Sequence, residues 1–131
     1  MLIKEFAEKY IKASNEAWQK GNFAPLEALR DPNIVYHLVF QGYVVGSEAI
    51  KQVVLSIRLA VPDFLPVWKY LTGDGNVFAL SYVAHFTSPG PRIPKGKKVK
   101  EDCMFVLRLE NGKVIEVWEN LRQTVSDPWL M

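Results

Sequence analysis

Between Val99 and Gln123 the chain reads VKEDCMFVLRLENGKVIEVWENLRQ, two runs rich in β-branched, aromatic and aliphatic residues on either side of Asn111-Gly112. Asn-Gly between alternating apolar runs is the strongest short-range hairpin signal, because both residues accept the positive φ of a type I′ turn. The pattern predicts one antiparallel ribbon of about ten residues per arm, long enough that it must bend around something and line a cavity. A two-residue turn sets Glu110 opposite Lys113, Phe105 opposite Trp118, Cys103 opposite Asn120 and Glu101 opposite Arg122. One face then carries Glu101, Cys103, Phe105, Leu107 and Leu109 against Val114, Glu116, Trp118, Asn120 and Arg122. An apolar arm meets an arm with polar groups at alternate positions there, which suits a pocket wall with a few polar handles. The other face sets Lys100, Asp102, Met104, Val106 and Arg108 against Ile115, Val117, Glu119, Leu121 and Gln123, an outer or subunit-facing surface. A three-residue loop with a bulge at Gly112 would slip the pairing by one and put Asp102, not Glu101, on the face of Trp118 and Asn120.

Upstream the period changes. Leu2, Ile3, Phe6, Ala7, Tyr10, Ala13, Ala17 and Trp18 recur at three and four with charges between them, an amphipathic helix that Gly21 stops in the left-handed cap position. Asn22 is placed to cap a short second helix with Pro25 in its first turn. Ile34 to Phe40 reads as a strand with His37 at its middle, and Gln41-Gly42 turns the chain into a short strand from Tyr43 to Val45. Ser47 is a natural cap for a helix from Glu48 to Val61 that Pro62 ends. Strands follow at Pro66 to Thr72 and Val77 to Thr87, then an extended loop, SPGPRIPKGKK, before the ribbon; the tail TVSDPWLM ends in Trp129, Leu130 and Met131. Strands segregated after helices predict a single α+β domain over residues 1–131, with core 5–123 and a tail at 124–131. Its three helices lie on the concave face of a curved antiparallel or mixed sheet, leaving part of that side open as a pocket.

Composition narrows this reading little. The chain has 131 residues, 49% hydrophobic and 23% charged, with a net charge of +2, too small to argue for nucleic acid or a membrane surface. Charges interrupt each apolar pair of MLIKEFAEKYIK, so no signal-peptide core is expected, and Cys103, alone in the chain, has no disulfide partner within it. A cytoplasmic setting is the expectation. Arg92 to Lys100 holds five cations in nine residues, a solvated loop or entrance rim before it is a phosphate gate.

The opening helix with NEAWQKGNFAPL, the strand with His37, the step GSEAI into a helix, the punctuation Ala60-Val61-Pro62-Asp63, the lysine- and glycine-rich loop and NGKVIEVWEN together resemble the SnoaL-like polyketide cyclases. That family lies in the nuclear-transport-factor-2-like superfamily with ketosteroid isomerase, scytalone dehydratase and limonene epoxide hydrolase, and the resemblance covers roughly residues 5–123. It implies a cone-shaped α+β fold with a deep apolar cavity, dimerised through the outer sheet face, and chemistry without metal or cofactor. In the cyclases a carboxylate four residues after the final-strand tryptophan acts as general acid and base. Counted from Trp118 that position is Arg122, which stays protonated and cannot shuttle the proton. The family's cavity histidine, after the strand ending near residue 87, is replaced by Ser88 or Pro89.

The remaining acid-base candidate is His37, which titrates near neutrality if the first strand aims it inward, and which otherwise hydrogen-bonds its neighbours. Arg122 either pairs with Glu101 across the strands or, with Asn120, steadies negative charge on a ligand. Trp18, Phe105 and Trp118 are core residues or a stacking platform; Tyr10 packs, or donates to an oxyanion as a helix tyrosine does in ketosteroid isomerase. His85 falls in the alternating series from Val77 to Thr87, a structural placement, and Asp63 is first a turn or cap residue. No spacing supports a metal site. The expectation is a small apolar or aromatic organic molecule bound by a homodimer, with no cofactor, nucleic acid or membrane. The activity would be that of a cofactor-independent isomerase, cyclase or hydrolase; the alternative is a noncatalytic ligand-binding or assembly module whose cavity its own aromatics nearly fill.

Overall fold

The computed structural model describes residues 2–39 and 42–126. Helix α1 (Ile3–Lys20) opens it and buries Phe6, Ala7, Tyr10, Ala13, Ser14 and Ala17; the alanines among them let helix and sheet approach closely. Gly21, at φ 71°, ends it in the left-handed conformation, its amide and that of Asn22 returning to the Ala17 and Glu16 carbonyls. Then follow α2 (Ala24–Glu27), β1 (Arg30–Leu38), β2 (Gly42–Val45), α3 (Ser47–Ala60), β3 (Val67–Asp74), β4 (Val77–Thr87), β5 (Lys98–Glu110) and β6 (Lys113–Ser126). The six strands form one open mixed sheet in the order β2-β1-β6-β5-β4-β3, with β1 and β6 parallel and the other neighbours antiparallel. The helices pack on one face of it, as the segregated pattern predicts. No helix among the described residues is long and apolar enough to cross a membrane.

Two expected caps are corrected. Phe23, not Asn22, occupies the cap of α2, and Gly46 that of α3, neither with a side-chain bond; the Ser47 hydroxyl lies one residue inside α3 and finds no partner among the described residues. Arg58 of α3 instead donates to the Trp18 carbonyl at 3.0 Å, tying the end of α1 to α3. The turn expected at Gln41 and the tail from 127 to 131 lie outside the described residues.

The ribbon register is the larger correction. The two-residue turn forms, with Asn111 at φ 54° and Gly112 at φ 75°, and Glu110 meets Lys113 and Leu109 meets Val114. Arg108 then pairs with Glu116, leaving Ile115 as an extra residue on β6. Because side chains alternate, one inserted residue turns over every position beyond it. Phe105 therefore faces Glu119, Glu101 faces Gln123, and Asp102 faces Arg122, on the face of Trp118 and Asn120. That is the slip foreseen for a bulge at Gly112, produced instead at Ile115. The buried face of β5 and β6 now carries Val99, Glu101, Cys103, Phe105, Leu107, Val114 and Val117, continuous with Phe78, Leu80, Tyr82, Ala84 and Phe86 of β4.

Candidate functional site

Between the sheet and helices α1 and α3 lies a mostly apolar cavity of about 310 Å³. Trp18 from α1, Val54 and Ile57 from α3, Phe64 after it, and Trp68, Tyr82, Phe86 and Phe105 from the strands form its apolar wall. The aromatics interlock: Trp18 and Phe64 lie 5.0 Å apart between ring centroids, Trp68 and Tyr82 5.0 Å, Trp68 and Phe105 5.3 Å. The rim is the loop after β4, where Ser88 fastens the chain by donating from its hydroxyl to Ile93 and from its amide to Lys97. Asp63 accepts from the Thr87 amide and hydroxyl, both at 2.9 Å, holding the end of β4, the structural task its sequence position suggests.

Into this wall the sheet places two carboxylates. Glu101 is buried and accepts hydrogen bonds from the Tyr82 hydroxyl and from Gln123 Nε2 at 2.7 Å, while Gln123 Oε1 in turn accepts from Arg92 at the rim. Burial, with Cys103 and Glu101 beside it, pushes the Tyr82 hydroxyl far above its ordinary range, so it remains a donor. Glu119 projects from the same face of β6. Burial raises its carboxyl to about 7, the charge of Glu101 adds to the rise, and a hydrogen bond from the Val39 backbone offsets part of it. A carboxylic acid that titrates near neutrality in an apolar cavity can give or take a proton under physiological conditions.

Arg30, at the start of β1, completes the polar set. It is buried against the cavity, its Nε donating to the Tyr10 hydroxyl at 3.1 Å. Burial presses it toward the neutral form, but Tyr10 and Tyr36 outweigh that and its pKa is raised, so it stays charged.

The residues expected to carry the chemistry separate into two groups. Trp18, Phe105 and Glu101 line the cavity, and Tyr10 lies behind Arg30. His37, Trp118, Asn120 and Arg122 lie on the opposite face of the sheet. Tyr36 and Leu38 of β1 line the cavity, so His37 between them points away from it. Its ring stacks on Trp118 at 5.3 Å, with 9° between the planes, and Nε2 donates to Glu116 at 2.7 Å. That bond and one from Arg108 hold the Glu116 carboxyl below its usual range. Arg122 is largely exposed, 3.8 Å from Asp102 rather than paired with Glu101. The displacement of Trp118, Asn120 and Arg122 follows from the extra residue at Ile115, and that of His37 from the alternation of β1, which turns Tyr36 and Leu38 inward. His85 is exposed and Cys103 buried and free. Among the described residues no three His, Cys, Asp or Glu side chains are grouped to hold a metal ion.

Sequence reasoning missed Glu119, Tyr82, Trp68 and Arg30. Glu119 and Tyr82 carried a usable signal, since each interrupts an apolar alternation, Val117-Glu119-Leu121 and Leu80-Tyr82-Ala84. Arg30 carried none.

Comparison with known proteins places this architecture. A proposed SnoaL-like polyketide cyclase from Mesorhizobium loti superposes with a TM-score of 0.73 at 19% identity, over 92% of this chain and 99% of that one. A protein with a cystatin-like fold from Xanthomonas campestris gives 0.68 at 21%, over 97% and 92%. An NTF2-like protein from Anabaena variabilis gives 0.67 at 11%, over 95% and 90%. At these identities the likeness establishes the fold, and no curated protein sequence matches the chain. The family model of the SnoaL-like domain matches residues 11–117, and the chain belongs to the SnoaL-like family.

Proposed function

We propose that this protein binds a small, largely apolar organic molecule in the cavity between helices and sheet and moves a proton on it without a cofactor, as an isomerase, cyclase or hydrolase. The observation that carries the reading is Glu119, a carboxyl raised to about 7 in an apolar wall. Ionised, it takes a proton from a carbon or hydroxyl of the bound molecule; protonated, it returns one to the product. Tyr82 and Gln123 hold Glu101 in place, and its negative charge keeps Glu119 a strong enough base to act near neutral pH. The aromatic rings of Trp18, Phe64, Trp68, Tyr82 and Phe105 in the lining suit a flat ligand. The resemblance of the fold to a proposed polyketide cyclase agrees with this reaction class.

Outward-facing Met104, Val106 and Trp118, 55%, 41% and 39% exposed, support a homodimer through the outer sheet face.

The test of the proton transfer is a probe that needs only a base in an apolar cavity, elimination of 5-nitrobenzisoxazole to the cyanophenolate. The protein should accelerate it, with a rate that climbs through about pH 7, and Glu119→Gln should abolish the acceleration. A rate no better than that of free carboxylate, or one indifferent to Glu119→Gln, would leave the noncatalytic ligand-binding module as the reading.

A further inference from the structure

The polar groups of the cavity do not balance. Arg30 is only 4% exposed, and among the described residues no carboxylate forms an ion pair with it. Its compensation is a hydrogen bond to the Tyr10 hydroxyl, the Tyr36 hydroxyl beside it, and two aromatic faces, Tyr10 at 5.9 Å and Tyr36 at 5.6 Å from the guanidinium carbon. The cavity's own acids are engaged elsewhere, Glu101 with Tyr82 and Gln123, Glu119 with the Val39 backbone. A neutral hydrogen bond and cation-π contacts recover only part of what a buried cation loses in leaving water.

A second group tells the same story. The Trp68 indole N–H is buried in the cavity wall and has no acceptor among the described residues. A buried donor without a partner is costly, and a binding site is where such a cost is met by a ligand. Both groups are donors, and what each is short of is an acceptor within reach.

We infer that the bound molecule is a small apolar organic acid whose carboxylate sits on the Arg30 guanidinium, an inference that rests on the cavity being the binding site proposed above. Nε is committed to Tyr10 and the Tyr36 hydroxyl lies beside the guanidinium, but among the described residues no carboxylate pairs with it, and a planar, bidentate carboxylate is the partner a guanidinium fits best. A phosphate dianion fits less well, because it would bring twice the charge into a wall that already holds Glu101 and Glu119. The Trp68 N–H is left for a carbonyl, ether or hydroxyl oxygen elsewhere on the same molecule.

Calorimetric titration with matched pairs of rigid aromatic probes, 2-naphthoate against 2-naphthamide and 4-phenylbenzoate against 4-phenylbenzamide, reads the charge preference. In the wild-type protein the carboxylate of a pair should bind at least tenfold tighter than its amide. In Arg30→Met the preference should shrink to within twofold while the amide keeps its affinity. Should that variant lose its cooperative melt, Arg30→Gln replaces it, and the wild-type comparison already decides. Amides that bind as tightly as carboxylates, or a preference that survives loss of Arg30, would overturn the inference and leave the cavity reading intact. Failure of every probe, charged and neutral, would overturn both.

Discussion

Phe105 and Glu119 face each other across β5 and β6, and Ile115 is the reason. Were Ile115 paired in a regular ladder instead of bulged out, the register set by the Asn111-Gly112 turn would bring Trp118 opposite Phe105 and turn Glu119 outward. Deleting Ile115 removes the bulge and leaves Arg108 opposite Glu116, Leu107 opposite Val117 and Phe105 opposite Glu119, so the buried face is kept. That deletion should be tolerated, moving the melting temperature by no more than about 6 °C, since 1 kcal/mol moves a domain of this size by roughly 3–6 °C. Deleting Ile115 and Glu116 together turns Val117 and Leu121 outward, at on the order of 1.5–3 kcal/mol for each side chain fully removed from the core. The double deletion should lower the melting temperature by more than about 10 °C or abolish the cooperative transition, and thermal melts followed by circular dichroism distinguish the two.

Glu119 predicts an unusual pH dependence. Its folded-state pKa of about 7 lies above the 4.5 of an ordinary glutamate, so the folded protein holds the proton more tightly than the unfolded chain. Stability from this group is complete below about pH 4.5 and is lost as pH rises through about 7. Allowing for solvent in a partly open cavity, the loss is on the order of 1–2 kcal/mol. Glu119→Gln should match the wild type at pH 4.5 and exceed it at pH 8, because the amide never ionises. Urea titrations at the two pH values measure the difference; a Glu119→Gln protein that is no more stable at pH 8 would contradict the assignment.

Much of the fold was legible because its signals are local. The helical period of α1, the left-handed Gly21, the Asn111-Gly112 turn and the alternation of β4 each lie within a dozen residues, and β4 forms at the boundaries its alternation predicts, Val77–Thr87. The site was legible only in part, because orientation accumulates along a strand. One residue at Ile115 exchanges Trp118, Asn120 and Arg122 for Val117, Glu119 and Leu121, and nothing in KVIEVWEN marks the insertion. Glu101, Phe105 and Trp18 were found because they lie on elements whose phase the pattern fixes from the turn or the cap. Arg30 was not, since β1 and β6 pair in parallel with a register shift between Arg30 and Val35, a long-range arrangement no neighbouring residue encodes.

Tyr10 and Arg30 form a second measurable pair. Tyr10→Phe removes the acceptor of Arg30 Nε and leaves the buried cation with Tyr36 and aromatic contacts, at a cost of about 1–3 kcal/mol. Arg30→Met exchanges the cation for an apolar chain and should be close to neutral, as such replacements often are. The double variant should be more stable than the sum of the single changes implies, a coupling of at least about 0.5 kcal/mol in a double-mutant cycle. Additive effects would mean that the hydroxyl does not support the guanidinium.

His37 gives a prediction through its position on the outer face. His37→Ala removes the stacking on Trp118 and the bond to Glu116, both partly solvated, and should cost no more than about 1 kcal/mol. Affinity of the cavity for 2-naphthoate should stay within twofold of wild type, because Tyr36 and not His37 lines it. A large loss of affinity would show that the two faces of the sheet communicate.

Val106 lies directly opposite Trp118 on the outer face, and with Met104 it exposes apolar surface at the middle of the sheet rather than at an edge. A second copy placed there would desolvate these side chains and bring His37, Glu116 and Arg108 to the margin of the contact, where their ion pairs stay partly hydrated. Val106→Asp puts a charge where that surface would meet its copy while leaving the inward-facing Phe105 and Leu107 untouched. Light scattering coupled to size exclusion should then fall from the mass of two chains to that of one, with an unchanged circular dichroism spectrum. Wild-type protein that runs as a monomer at micromolar concentration would remove the dimer from the proposal, and the exposed apolar strip would then need another partner to explain it.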